Sequence, residues 1–193
     1  MPRDWVSVFD TWAKALSATE AEKAARAERL IGDAIAASPA LAARTIRVFA
    51  QGSYRNDTNV RLESDVDISV CCTDIIIPDY SRIPGVAPES LGNRPATYTE
   101  AQLKADVGAA LFARFGTRGV ARANKVFTVH ENTVRLDADV APTFELRIYY
   151  RTNTQAIMYG KGTSLWTDRG EQIWNFPDQH FDYGVARNVA TSL

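Results

Sequence analysis

The chain has 193 residues, and its 22 Lys and Arg against 23 Asp and Glu give a net charge of −1. That length suits one compact domain, or one domain with a small appendage, and 46% apolar residues exclude a disordered chain or a fibre. A charge near zero argues against a broad nucleic-acid-binding face, so any phosphate binding must be local. No apolar run is long enough to cross a membrane, and we expect a cytoplasmic protein without membrane contacts.

The first forty residues predict two helices. Apolar residues recur at three- and four-residue steps over 5–16, which is typical of an amphipathic helix. Thr19 and Glu22 have the spacing of a capping box for a second, Ala-rich helix. The pair Ser38-Pro39 interrupts that helical pattern.

Alternating and β-branched segments then predict a sheet, mixed with further helices. A proline-rich loop is predicted at 78–97, followed by a helix that Thr99 and Gln102 cap and that stops near Gly116. A last helix is predicted after Pro177. We expect strands at 45–50, 65–72, 124–129, 133–140, 144–151 and 155–159. Helices first, then strands mixed with helices, indicate an α+β domain.

The two cysteines are neighbours, Cys71 and Cys72, in an apolar run. Neighbours in a strand point to opposite faces, so the pair is poorly placed for a mutual disulfide or a shared metal. We therefore expect two buried free thiols, as in a reducing compartment.

Two predicted strands carry carboxylates on one face. In one, Asp65, Asp67 and Ser69 alternate with apolar residues, and in the other Asp137 and Asp139 do so. If the two strands are neighbours, their carboxylates converge and repel one another unless a cation lies among them. Oxygen ligands of this kind suit Mg²⁺ or Mn²⁺, and two such ions are the common device for displacement at phosphorus.

These carboxylates have two other interpretations. The first is a solvated sheet face whose carboxylates pair with Arg61, Arg135 or Arg147. The second is a calcium loop, which is excluded because Val70 and Ile76 stand where the turn glycine and the bidentate Glu would be required.

A glycine turn precedes the first acidic strand. Gly52-Ser53 follows the strand predicted at 45–50, and a glycine there lets the backbone and the hydroxyl approach an anion. By itself a Gly-Ser pair is weak, because most such pairs are ordinary turns.

Taken together, three segments resemble one family. The stretch GSYRNDTNVRLESDVDISV at 52–70, the strand LDADVAPTFELR at 136–147 and the tail NFPDQHFDYGVARN at 175–188 are similar to the bacterial CD-NTases. These are nucleotidyltransferases with a DNA polymerase β-like fold, relatives of cyclic GMP-AMP synthase and oligoadenylate synthase. The resemblance covers roughly residues 45–193 and implies synthesis of a cyclic di- or oligonucleotide signal in anti-phage (CBASS) defence.

The resemblance also implies roles for individual residues. The catalytic and metal-binding residues would be Asp65, Asp67 and Asp139, with Mg²⁺ or Mn²⁺ as the cofactor. The nucleotide-binding residues would be Gln51, Gly52, Ser53 and Arg187, the last standing where the family usually has Lys. The roles of Asp137 and His180 stay open.

Partners and domain limits follow from the same resemblance. The substrates would be ATP, GTP or pyrimidine NTPs, and a downstream effector would recognise the product rather than this chain. We expect N-terminal helices at 1–44 packed on a catalytic core at 45–175, and the start of a helical C-terminal region at 176–193. Because family members continue well beyond such a point, we expect the helical C-terminal part to be truncated, either in a piece of a longer protein or in a minimal version with an open cleft. An open cleft controls water and acceptor poorly, so we expect the activity of this piece to be weak or absent.

Three other functions would use some of the same residues. A D-x-D glycosyltransferase would leave Gly52-Ser53 and Asp139 without a role, and the chain is short for it. A nucleotidyltransferase of the toxin–antitoxin or RNA-modifying type would share the same site. A catalytically silent nucleotide- or RNA-binding module would not need all three acidic positions, which are intact.

Overall fold

The structure, a computed structural model, describes residues 18–52, 65–130, 132 and 137–178. The helices predicted at 5–16 and after Pro177 lie outside these residues, as do Ser53, His180 and Arg187. The proposed division into 1–44, 45–175 and 176–193 stays a prediction. No helix in the described ranges is long and apolar enough to cross a membrane.

The described residues form three α-helices, one 3₁₀ helix and seven strands. The α-helices are α1 (Ala18–Ala36), α2 (Pro39–Ala42) and α3 (Glu100–Phe115), and the 3₁₀ helix is Pro88–Leu91. The strands are β1 (Ile46–Gln51), β2 (Val66–Asp79), β3 (Val120–Arg122), β4 (Phe127–Val129), β5 (Ala138–Arg151), β6 (Ile157–Trp166) and β7 (Gln172–Asn175).

Within the described ranges, all the strands join one mixed sheet. Its main path is β1-β2-β5-β4-β3, while β6 pairs with the other half of β5 and β7 pairs with β6. The β2–β5 pair is parallel and the remaining pairs are antiparallel. This mixed sheet with flanking helices confirms the predicted α+β class.

The core lies between the sheet and the helices α1 and α3. On the sheet side it holds the apolar residues that alternate with the carboxylates, which confirms the predicted faces of the two acidic strands. The fully buried members are Ala27 and Ile31 of α1, Leu103 and Val107 of α3, Val66, Ile68 and Val70 of β2, and Ala138 and Val140 of β5. Burial of this apolar face is the main term that stabilises the sheet.

Helix limits agree with the sequence prediction in one case and differ in another. Thr99 caps α3 by accepting a hydrogen bond from the Gln102 backbone N–H, and α3 ends at Phe115 before Gly116, as predicted. Thr19 was expected to begin α1, but this is wrong because the helix already includes Ala18. Alanine has the highest helix propensity, which favours helical geometry at Ala18.

Strand β5 is longer than predicted because it runs through Pro142. The backbone N–H of Val66 donates to the Asp137 carbonyl, so by alternation the backbone of residue 142 faces away from β2. On that side β4 pairs only as far as Val140, and β6 begins at Phe144. Pro142 therefore occupies the gap between two neighbours, where its missing N–H costs no ladder hydrogen bond.

The proline-rich loop begins after Asp79, slightly later than predicted, because β2 continues to pair with β5 up to that residue. The loop is tied to the sheet through Asn93, whose Nδ2 donates to the hydroxyls of Tyr80 at 2.8 Å and Tyr149 at 3.0 Å. The rings of Tyr80 and Tyr149 stack with centroids 5.4 Å apart.

Both cysteines are buried free thiols, as expected from the sequence. Burial is the main cause that raises the pKa of Cys71 to about 11 and that of Cys72 to about 12. Such thiols stay protonated and act as small apolar side chains.

A glycine in α3 tests how tightly the helix packs on the sheet. A Cβ on Gly108 would lie 2.7 Å from Cζ of Phe127, so Gly108→Ala should destabilise the fold by about 1–3 kcal/mol. Gly32 of α1 is the matched control, because nothing lies within 4 Å of its Cβ position and Ala there should stabilise by about 0.5–1 kcal/mol. Denaturant unfolding measures both, and a gain in stability for Gly108→Ala would contradict the packing.

Candidate active site

Four neighbouring strands place one polar residue each in a row across the sheet. Gln51 of β1 is paired with Asp67 of β2, Asp67 with Asp139 of β5, and Asp139 with Thr128 of β4. Residues paired in register point to the same face, so the predicted convergence of the two acidic strands is confirmed in their pairing. Asp65 directly precedes β2 at the same end of the sheet.

The carboxylates at this end of the sheet raise one another's pKa values. Burial, the charge of Asp139 and the charge of Asp65 raise the pKa of Asp67, in that order of size. Burial, Asp139 and Asp137 raise the pKa of Asp65 in the same way. Mutual repulsion of this kind is what a bound cation relieves.

Gly52 lies against the Asp67 carboxylate at the end of β1. Its φ is +70°, a left-handed conformation that suits glycine, and a Cβ there would collide with Oδ2 of Asp67. Glycine is thus required twice at this position, once by the backbone and once by the carboxylate. Ser53, the other half of the predicted turn, lies outside the described residues.

Gln51 is buried, with 8% of its surface exposed. Its Oε1 accepts a hydrogen bond of 3.5 Å from Nδ2 of Asn175, the last residue of β7. This contact links the end of β1 to the end of β7 beside Asp67. A role for Gln51 in nucleotide binding stays a prediction.

Neutralisation of the acidic row by Arg147, one alternative raised by the sequence, is wrong. The Arg147 Nε donates to Glu145 Oε1 at 2.6 Å, further along β5. Arg61 and Arg135 lie outside the described residues.

Thr128 was missed by the sequence reading. Its hydroxyl donates to Oδ1 of Asp139 at 2.7 Å, which makes it a direct neighbour of a predicted ligand. The only sequence signal is its place in a predicted strand beside an acidic one, and many threonines share that. The exposed His130, directly after β4, lies with Nδ1 4.0 Å from Oδ1 of Asp137 at the rim of the same site.

The chemistry of the row fits a hard divalent cation, because its donors are carboxylate oxygens next to a glycine that allows close approach. In the ranges that the structure describes, no three His, Cys, Asp or Glu side chains are already gathered at metal-binding spacing. The assignment of Asp65, Asp67 and Asp139 as ligands of Mg²⁺ or Mn²⁺ therefore stays a prediction.

Comparison with known proteins places this arrangement in a family. No protein-family model matches the sequence. A cyclic dipyrimidine nucleotide synthase CdnE from Legionella pneumophila is 46% identical over 191 residues, covering 99% of this chain and 64% of the relative. A synthase of the same name from Cecembia lonarensis is 37% identical over 182 residues, covering 94% of this chain and 60% of the relative. The chain belongs to the bacterial CD-NTases.

Solved CD-NTase structures agree with the fold. The Elizabethkingia meningoseptica CdnE cyclic dinucleotide synthase, solved with GTP and Apcpp, has a TM-score of 0.72 and 31% identity, covering 99% of this chain and 61% of that one. The Rhodothermus marinus CdnE c-UMP-AMP synthase has a TM-score of 0.78 and 26% identity, covering 96% and 61%. These confirm the expected nucleotidyltransferase core, and the chain spans less than two thirds of the length of these relatives.

Replacing Gly52 tests its contact with Asp67. Gly52→Ala should cost about 1–3 kcal/mol for the left-handed backbone plus the displacement of the Asp67 carboxylate. Gly170 is the matched control, with φ +81° and nothing within 4 Å of its Cβ position, so Gly170→Ala carries only the backbone cost. Thermal unfolding should show the larger loss for Gly52→Ala, and equal losses would argue against the contact.

Asp67→Asn should stabilise the metal-free protein at neutral pH. Because the pKa of Asp67 is raised above its ordinary 3.8, folding is favoured below that value and weakened as the pH rises through the folded pKa. Removing the charge should add about 0.5–2 kcal/mol near pH 7 and nothing near pH 3. Unfolding in chelator-containing buffer at both pH values measures this, with Asp79→Asn at the other end of β2 as control. A loss of stability near pH 7 would contradict the repulsion.

Proposed function

We propose that the chain is the catalytic part of a metal-dependent nucleotidyltransferase that joins NTPs into a cyclic di- or oligonucleotide signal in anti-phage (CBASS) defence. The observation that carries this is the parallel pairing of Asp67 with Asp139, with Asp65 beside them. It brings together the carboxylates that the family motif assigns to catalysis. The structures of two relatives with GTP, Apcpp and Upnpp support NTPs as substrates.

Each residue of the site has a proposed task. Asp65, Asp67 and Asp139 would hold Mg²⁺ or Mn²⁺, which when bound supplies charge for the triphosphate and acidity for an incoming ribose hydroxyl. Asp139 orients that hydroxyl and accepts its proton. Gly52 lets the backbone approach the triphosphate closely. Ser53 and Arg187 bind the same triphosphate through a hydroxyl and a guanidinium group.

Pyrimidine NTPs are the substrates that we propose first. The relatives at 46% and 37% identity are both named cyclic dipyrimidine nucleotide synthases. A relative at 36% identity is named a cyclic dipurine nucleotide synthase, so base choice varies within the family.

Incubation with each of the four NTPs, and with mixtures, plus Mg²⁺ or Mn²⁺ tests the activity. We expect pyrophosphate release, weak because the chain spans less than two thirds of its relatives, and a phosphatase-resistant product of cyclic mass from CTP, UTP or both. Asp67→Ala should abolish both signals, while Asp79→Ala, which removes a carboxylate from the far end of β2, should leave them unchanged. Pyrophosphate release by folded Asp67→Ala would refute the site.

Calorimetric titration separates the enzyme from a silent binding module. We expect NTP binding to require Mg²⁺ or Mn²⁺ and to be lost in Asp67→Ala. Equal binding in the presence of chelator, with no product, would favour the silent module instead.

A further inference from the structure

We propose that Thr128 is a positioning residue that orients the Asp139 carboxylate for metal binding. This inference rests on the proposed function, because it concerns how one of the three metal ligands is held. Thr128 does not itself contact substrate or metal in the proposed arrangement. It acts through its hydrogen bond to Asp139.

The hydrogen bond has one possible direction and one defined acceptor. An ionised carboxylate can only accept, so the Thr128 hydroxyl donates to Oδ1 of Asp139 over 2.7 Å. This bond engages Oδ1 and restrains the carboxylate plane, so it sets the direction in which Asp139 presents its remaining lone pairs to a cation. The two residues are also paired in register between β4 and β5, which brings their side chains to the same face.

Strand β4 holds the hydroxyl rigidly because both neighbours of Thr128 are anchored in the core. Phe127 is 2% exposed and Val129 is fully buried. The Phe127 ring packs edge-on against Phe112 of α3, with centroids 6.3 Å apart, and closely over Gly108. The β-branched side chain of Thr128 adds a restricted χ1, so the hydroxyl position follows from the backbone.

Two buried hydroxyls of the described residues on this face bond to each other and not to Asp139. Ser69 and Thr143, both almost fully buried, share a hydrogen bond of 2.8 Å with each other. This pair lies on the same face, two residues along β2 from Asp67 and four residues along β5 from Asp139. Thr143 therefore provides a matched control for loss of a buried hydroxyl without loss of the Asp139 contact.

The test compares Thr128→Val, which keeps the shape and removes the hydroxyl, with Thr128→Ser, which keeps the hydroxyl. Mn²⁺ binding to the metal-free chain is measured by calorimetry or electron paramagnetic resonance, alongside thermal unfolding. We expect Thr128→Val to weaken Mn²⁺ binding about tenfold or more, and Thr128→Ser to bind within about threefold of the unaltered chain. Thr143→Val should lose stability, because it leaves Ser69 without its partner, and bind Mn²⁺ normally.

The outcomes separate this inference from the proposed function. If the unaltered chain binds Mn²⁺ and folded Thr128→Val binds it equally well, Thr128 does not position Asp139, and the metal site stands. If Thr128→Ser is weakened as much as Thr128→Val, the hydroxyl is not the cause and the inference fails. If the unaltered chain binds no Mn²⁺, the metal site itself fails and removes the basis for a positioning role.

Discussion

The parallel pairing of β2 with β5 is the constraint on which the site depends. It sets Asp67 beside Asp139, and a slip of one residue would turn either carboxylate to the opposite face. The slip is opposed by the buried side of the same strands, where Ile68 and Val140 are paired and fully buried. Packing of the apolar face therefore sets the geometry of the acidic face.

That geometry has an electrostatic cost in the folded chain. Burial and, after it, the charges of neighbouring carboxylates raise the pKa values of Asp65 and Asp67, so their ionised forms are less favourable in the folded chain than in the unfolded one. Gly52 limits the crowding at this point, since a Cβ there would collide with the Asp67 carboxylate. Apolar burial against α1 and α3 outweighs these unfavourable terms, which is how a fold can retain an active site that destabilises it.

Local patterns predicted the faces of the strands but not their partners. The period of two in residues 65–70 assigns Asp67 to one face whatever the fold, because side chains alternate along any strand. Pairing with Asp139 is a contact between distant segments, which one sequence does not encode locally. The same limit explains the run of β5 through Pro142, which is tolerated only because β4 ends before it and β6 begins after it. Thr19 shows the reverse error, since its capping-box spacing predicts a helix start that the helical Ala18 contradicts.

The row of Gln51, Asp67, Asp139 and Thr128 crosses four strands, and each strand contributes one of the four residues. A site built along one loop would move as a unit, whereas this one keeps its spacing only while the strands keep their register. For Asp139 that register is held from both sides, by β2 through the parallel pair and by β4 through the Thr128 hydroxyl. The packing of Phe127 against α3 thus affects the position of the Asp139 carboxylate on the neighbouring strand. It does so because it fixes β4, from which Thr128 reaches Asp139.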